Sequence, residues 1–300
     1  MNIIVGSRGS KLAITQTNWV IEQLKLTNPE VEFEVKVIKT KGDRIQNVAL
    51  DKIGDKGLFV KEIEDELLNG TIHMAIHSMK DMPGDLPEGL MFSYTPIRED
   101  YRDVIVLKEG YNSIDELPQG ARIGTGSKRR MYQLLKYRPD LNIEPIRGNI
   151  DTRIKKIDTE DLHGVILAAA GINRIGFNGT IKNVIQPIDE TIILPAPAQG
   201  ILAIEIRKDR EDIHEIVKSI GHVETQLQSN LERQFLNCIN GSCHLPIGAL
   251  CKINGEEVEL EALYGAEDGS RIVRKGLKGN KETCEDLGRR LAEIIVEEMK

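Results

Sequence analysis

Cysteine, histidine, arginine and one Lys-Asp pair are the side chains of this sequence whose spacing bears on chemistry. The stretch NGSCHLPIG, residues 240–248, places Cys243 between small residues and a His-Leu-Pro corner, with Cys238 five positions back and His244 next in line. A structural zinc needs about four nitrogen or sulfur ligands at characteristic spacing. Cys251 and Cys284 supply no paired C-x-x-C pattern, so no metal is expected. In an extended stretch adjacent side chains point to opposite sides, which makes His244 a poor base for a Cys243 nucleophile. Cys238, Cys251 and Cys284 read as buried structural thiols. The small neighbours of Cys243 leave room for something large to approach the backbone. On spacing alone its role as anchor, nucleophile or inert thiol stays open.

The basic residues collect at turns. Arg8 lies in GSRGS, Lys80 follows an apolar strand, and Arg129 and Arg130 open a helix after GTGS. Arg147 precedes Gly148-Asn149, Arg153 is six residues on, and Arg174 follows AAAGIN. The first turn of a helix offers unpaired backbone N–H groups and the positive end of a dipole. A guanidinium added there meets two oxygens of a carboxylate or phosphate at once. The set predicts a polyanionic small ligand in a cleft between α/β units. Asp81, beside Lys80 in HSMKDMP, is expected to stay ionised near so many arginines. It can then steady a developing cation or move a proton, a turn or cap role being the alternative. His73 and His77 fall in an alternating strand, roughly 13 Å apart and too far for a shared metal, so a structural role is expected.

These residues need elements that bring turns together. An apolar strand over 3–5 leads through GSRGS into a helix with Ala13, Thr17, Val20, Ile21 and Leu24 on one side. Residues 31–37 alternate like a strand, 58–68 read as a helix, and further strands are expected at 72–77, 121–125, 143–146, 164–169 and 202–206. The rhythm predicts an α/β architecture with largely parallel sheets, whose turns lie at the strands' carboxyl ends, where ligands bind. Residues 40–57 are polar and without period, which marks a functional or mobile loop. The tail differs: a long helix over 222–240, strands over 249–253, 257–263 and 271–274, and an amphipathic helix from 281. That is a small α+β domain, antiparallel if the turns are hairpins. Hydrophobic content of 40%, charged content of 29% and a net charge of −7 suit a soluble globular protein and argue against a nucleic-acid binder held by overall charge. The amino terminus has no signal-peptide core and no run approaches a membrane span, so a cytoplasmic protein with reduced thiols is expected.

Taken in order, these motifs resemble the porphobilinogen deaminase (hydroxymethylbilane synthase) family over essentially the whole chain. The matching segments are GSRGS (6–10), DKGLFVKE (55–62), HSMKD (77–81), IREDYRD (97–103), IGTGSKRR (123–130), RGN (147–149) with Arg153, PAPAQG (195–200) and GSCHLPIG (241–248). The resemblance implies a transferase of porphyrin and heme biosynthesis. Such an enzyme joins four porphobilinogen molecules head to tail, releases four ammonia and yields the linear tetrapyrrole hydroxymethylbilane. It implies two periplasmic-binding-protein-like α/β domains, 1–97 plus 197–218 and 98–196, and a small C-terminal α+β domain with an antiparallel sheet, 219–300. It also implies a dipyrromethane cofactor joined by a thioether to Cys243.

A chain of up to six rings carries about a dozen carboxylates, which accounts for basic turns in an acidic protein. By resemblance Arg8, Ser10, Lys56, Lys80, Thr125, Ser127, Arg129, Arg130, Arg147, Arg153, Arg174 and Gln199 hold cofactor and substrate, and Asp81 is the catalytic carboxylate. Lys52 and Phe59 match the family's active-site loop and the helix behind it. The substrate is then the small molecule porphobilinogen, handed on as product to the next enzyme, with no nucleic acid and no membrane as partner and a monomeric state. Gly126, Ala198 and Ser242 stand where the family commonly has Ser, Gly and Gly, which bears on loop geometry and removes no catalytic group.

Overall fold

The computed structural model describes residues 1–44, 60–177, 181–239 and 245–300. Lys52, Lys56, Phe59, Ser242, Cys243 and His244 lie outside the described residues. In chain order the elements are β1 (Asn2–Arg8), α1 (Lys11–Thr27), β2 (Glu32–Ile38), the single turn α2 (Lys41–Arg44), α3 (Lys61–Leu68), β3 (Met74–Ser78), β4 (Leu90–Phe92) and β5 (Asp103–Leu107). There follow β6 (Arg122–Gly124), α4 (Lys128–Tyr137), β7 (Asn142–Glu144), α5 (Ile150–Thr159), β8 (Gly164–Ala168), α6 (Ala169–Ile175), β9 (Ile185–Pro187) and β10 (Leu202–Arg207). The rest is α7 (Glu211–Lys218), α8 (Val223–Cys238), β11 (Ile247–Asn254), β12 (Glu257–Gly265), β13 (Ile272–Asn280) and α9 (Leu287–Met299).

The chain forms two compact units: Met1–Glu99 with Ile201–Leu227, and Asp100–Gly200 with Gln228–Lys300. The first unit holds a five-stranded sheet of order β2-β1-β3-β10-β4. The second holds one of order β7-β6-β8-β5-β9 and a three-stranded antiparallel sheet β11-β12-β13. The two five-stranded orders repeat one pattern. Three strands that alternate with helices run parallel, the next strand is antiparallel to them, and a short edge strand follows. The expectation of largely parallel sheets is therefore corrected to mixed sheets. A βαβ crossover fixes the parallel direction. β10 reaches its sheet from a distant part of the chain and β5 precedes the helical crossovers of its own, so neither is bound by that constraint.

Both five-stranded sheets are buried on two faces. In the first unit α1 sets Val20, Ile21 and Leu24 against Ile3, Val5 and Ile204, while Ile63 and Leu67 of α3 cover Ile72, Ala75 and Leu90 on the other side. In the second, Ile105, Leu107 and Ile166 face Leu134 of α4, and Val104, Val106 and Leu167 pack with Ile157 and Ile172. Each such Val, Leu or Ile side chain contributes about 1.5–3 kcal/mol on full burial. Two-sided burial turns a strand into an unbroken apolar run. The run DVIVL of β5 is of this kind, and periodicity passed over it together with β4 and β9. In the small sheet the alternation is one-sided. Val258, Leu260 and Ala262 are buried, and Leu287, Leu291 and Ile295 of α9 supply the buried face of the closing helix.

Candidate functional site

In the first unit β1 and β3 are neighbouring parallel strands, with Val5 opposite Met74 and Gly6 opposite Ala75. Their carboxyl ends therefore lie side by side. Arg8 ends β1, and Ser10 caps α1 by accepting from the Ala13 N–H at 3.3 Å. Lys80 and Asp81 sit in a 3-10 turn, Met79–Asp81, directly after β3. The turn is fixed at its base: the Met79 N–H donates to the Ile201 carbonyl at 3.0 Å, and Gln16 Nε2 on α1 donates to Ser78 Oγ at 3.0 Å. Arg8, Ser10, Lys80 and Asp81 thus share one sheet edge. Asp81 is exposed. Gln16, buried on α1 beside this edge, was missed because its position is core-facing in the helical period.

Behind that edge lies a buried acidic group that sequence reasoning also missed. His73 Nδ1 accepts from the Ile4 N–H at 2.9 Å, and His77 Nε2 meets Glu205 Oε2 at 3.0 Å, so both histidines serve the sheet. Glu64 of α3 adds a second buried carboxyl, and among the described residues one oxygen each of Glu64 and Glu205 has no hydrogen-bond partner. Burial, and then the charges of Glu205 and Asp65, push the Glu64 carboxyl up to about 7. An acid whose folded value is raised destabilises the fold once ionised. The cost begins as pH climbs past the ordinary glutamate range and is complete above about 7. Glu64→Gln is therefore expected to raise the melting temperature at pH 8 relative to the parent, with the gain shrinking toward pH 5. Parallel melting curves at both pH values would remove Glu64 from the alkaline loss of stability.

In the second unit β7, β6 and β8 are adjacent and parallel, so the turns after them share an edge. After β6 the Thr125 N–H donates to the Glu144 carbonyl at 2.9 Å, and Thr125 Oγ1 accepts from the Ser127 N–H at 3.2 Å. Ser127 stands at the cap of α4 without a side-chain capping bond. Gly126 fits closely: a Cβ there would lie 2.9 Å from the Ile146 carbonyl oxygen, so the missing hydroxyl accompanies a tight backbone approach. Arg147 follows β7. Arg153 Nε folds back to the Gly148 carbonyl at 2.7 Å. Arg174 of α6 donates from Nη2 to the Gly200 carbonyl at 2.8 Å.

Arg129, Arg130 and Gln199 converge on a residue to which the sequence reading assigned no role. Asp103, at the start of β5, is fully buried. Its Oδ2 accepts from Arg129 Nη1 at 2.6 Å, and its Oδ1 accepts from Arg130 Nη2 at 2.7 Å, Arg130 Nε at 3.0 Å and Gln199 Nε2 at 3.1 Å. Backbone carbonyls of Leu194 and Ile166 accept from Arg129 and Arg130 at 2.7 and 3.0 Å. Burial alone would push the Asp103 carboxyl up. The charges of Arg129 and Arg130, with hydrogen bonds from Arg129 and Gln199, outweigh it and hold the carboxyl well below the usual carboxylate range. A lone acid opening an apolar run was the available signal.

Ala198, in PAPAQG, has φ +58, the left-handed region expected of the glycine the family carries there. Cys251 and Cys284 are buried, as expected; Cys238 is exposed, a correction, because it ends α8 and turns to solvent.

The family model described as "Porphobilinogen deaminase, dipyromethane cofactor binding domain" matches residues 3–215. "Porphobilinogen deaminase, C-terminal domain" matches residues 226–297. A porphobilinogen deaminase of Clostridium novyi is 62% identical over 299 residues, covering 100% of both chains. One of Clostridioides difficile is 54% identical over 298 residues, covering 99% of this chain and 98% of that one. Among solved structures, the periplasmic VFT2 domain of Bordetella pertussis BvgS aligns at 14% identity over 76% of this chain and 91% of its own, with a TM-score of 0.43.

Proposed function

The chain belongs to the porphobilinogen deaminase family, and from that premise we propose which of its side chains carry the family's reaction. The reaction is the head-to-tail condensation of four porphobilinogen molecules into hydroxymethylbilane with loss of four ammonia, primed on a covalent dipyrromethane. What carries the assignment is a family match over nearly the whole chain. Bound dipyrromethane supplies a free pyrrole α-carbon on which the chain is started.

The donor set suits such a group. Every ring brings an acetate and a propionate, and each unit gathers basic side chains at the carboxyl ends of its parallel strands. We assign Arg8, Ser10 and Lys80 in the first unit, and Thr125, Ser127, Arg147, Arg153 and Arg174 in the second, to those carboxylates. Backbone N–H groups at the start of α4 assist. Arg129, Arg130 and Gln199 act from beneath, where the two guanidiniums outnumber the Asp103 carboxylate and bias the α4 edge toward anions. Lys52, Lys56 and Phe59 belong to the covering loop by family position.

Asp81 is the catalytic carboxylate. Its exposure at a turn anchored by Ser78 and Met79 leaves it open to a substrate pyrrole N–H. There it stabilises the positive charge that develops as ammonia leaves and assists proton transfer to the departing amine. Cys243 is the attachment point. The same proposal includes the division at 1–97 with 197–218, 98–196 and 219–300, supported by each sheet falling inside one span. It also includes a cytoplasmic location, a monomeric state and hand-over of the product to the enzyme that uses it next. No helix among the described residues is long and apolar enough to cross a membrane.

Intact mass tests the anchor. The purified protein is expected to exceed its sequence mass by two linked pyrrole units, and Cys243→Ser to match its sequence mass and lose turnover. Fully active protein of unmodified mass would overturn the assignment.

A further inference from the structure

The carboxylate of Glu232, on α8, has no exposed surface and gives both oxygens to backbone amides. Oε2 accepts from the Ala198 N–H at 2.6 Å and Oε1 from the Cys251 N–H at 2.8 Å. Bonds this short to an ionised acceptor are about twice as strong as neutral ones. Ala198 is where such a bond matters. At φ +58 its Cβ crowds the following carbonyl, and a non-glycine residue keeps that conformation when its surroundings over-determine it. The turn is tied down elsewhere as well: the Pro195 carbonyl accepts from the Ala249 N–H at 3.0 Å, and the Ala196 carbonyl from the Gln199 N–H at 3.0 Å.

The residues that follow Ala198 reach the proposed binding edge. Gln199 Nε2 donates to the Tyr101 carbonyl at 2.8 Å and to Asp103 at 3.1 Å, beside Arg129 and Arg130. The Gly200 carbonyl accepts from Arg174 at 2.8 Å. Glu232 also bonds β11, so one side chain fixes the 195–200 turn to the three-stranded sheet and to α8 at once.

We propose that Glu232 is a positioning residue for the reaction, holding Ala198 in its left-handed step so that Gln199 and Gly200 set the arginines of the second unit. The proposal rests on the reading that Arg129, Arg130 and Arg174 serve the anionic ligand. Loss of the clamp lets the turn relax toward right-handed backbone, withdrawing Gln199 from Asp103 and the Gly200 carbonyl from Arg174.

Glu232→Gln keeps the size but sets an amide NH2 against one of the two N–H donors. It is expected to lower kcat/KM for porphobilinogen about tenfold, ~1.4 kcal/mol, while intact mass still shows the attached dipyrromethane. Ala198→Gly frees the left-handed step from dependence on the clamp. In the Glu232→Gln background it is expected to recover about threefold of the loss, more than it changes the parent, because the two sites are coupled. Equal effects of Ala198→Gly in both backgrounds would overturn the proposal.

Should Glu232→Gln not accumulate as folded protein, amide hydrogen exchange on the native holoenzyme decides. The Ala198 N–H is expected to exchange as slowly as that of Cys251, and exchange at the rate of exposed turns would overturn the clamp. Native protein without turnover or added mass would instead sink the functional reading, leaving the exchange result to decide the clamp by itself.

Discussion

Asp81→Asn is expected to keep the attached dipyrromethane and lose turnover by about 10²–10³-fold in kcat. The amide keeps the size of the side chain and one carbonyl oxygen, so it still accepts a hydrogen bond from a pyrrole N–H. What it lacks is the negative charge, and that charge matters most when ammonia departs and the ring becomes cationic. An interaction stronger in the transition state than in the ground state lowers kcat when removed and leaves KM within a few-fold. The fold has little stake in the substitution. Asp81 is exposed on a turn whose anchors are Ser78 Oγ and the Met79 N–H, so the melting temperature should stay near that of the parent. Steady-state rates and intact mass on one preparation separate the possibilities. A rate within a few-fold of the parent, with cofactor attached, would exclude Asp81 from the chemistry.

The edges that carry these residues were legible because strand-to-helix turns are written locally. GSRGS at the end of β1, SMKD at the end of β3 and GTGS before α4 each combine a short apolar run with small residues and a basic side chain. Parallel pairing then lines such turns up. What local reading could not supply is the partner of a buried charge. Arg129 and Arg130 have the same sequence signature as Arg147, yet they turn inward because Asp103 waits at the start of a strand some 26 residues earlier. The direction of β10 escaped for a related reason, since an antiparallel strand delivered from a distant segment carries the same alternation as a parallel one. Glu232 sits in a long helix and resembles any surface glutamate until the backbone of Ala198 and Cys251 is brought to it. Long-range pairing of buried charge is a property of the assembled fold.

Asp103→Asn tests that pairing where it is strongest, and the expected loss of stability at pH 7 is about 3–5 kcal/mol. Asparagine is nearly isosteric, so no cavity opens. Its amide nitrogen, however, cannot accept from a guanidinium, and two buried positive charges lose their carboxylate. Ile166 and Leu194 carbonyls remain as acceptors, but carbonyl dipoles do not neutralise a cation as a carboxylate does. For a protein of this size the loss corresponds to a fall in melting temperature on the order of 10 °C.

The pH dependence identifies the cause. The Asp103 carboxyl is held below its ordinary range, so its contribution is complete above the unfolded aspartate value of about 3.9 and disappears as pH falls through the folded one. The gap between parent and variant should therefore stay constant from about pH 8 to pH 5 and narrow below about pH 4. A packing defect would give a gap indifferent to pH. An unchanged melting temperature at pH 7 would mean that backbone carbonyls suffice for both guanidiniums, and that the α4 arginines are held by the helix and not by the acid beneath it.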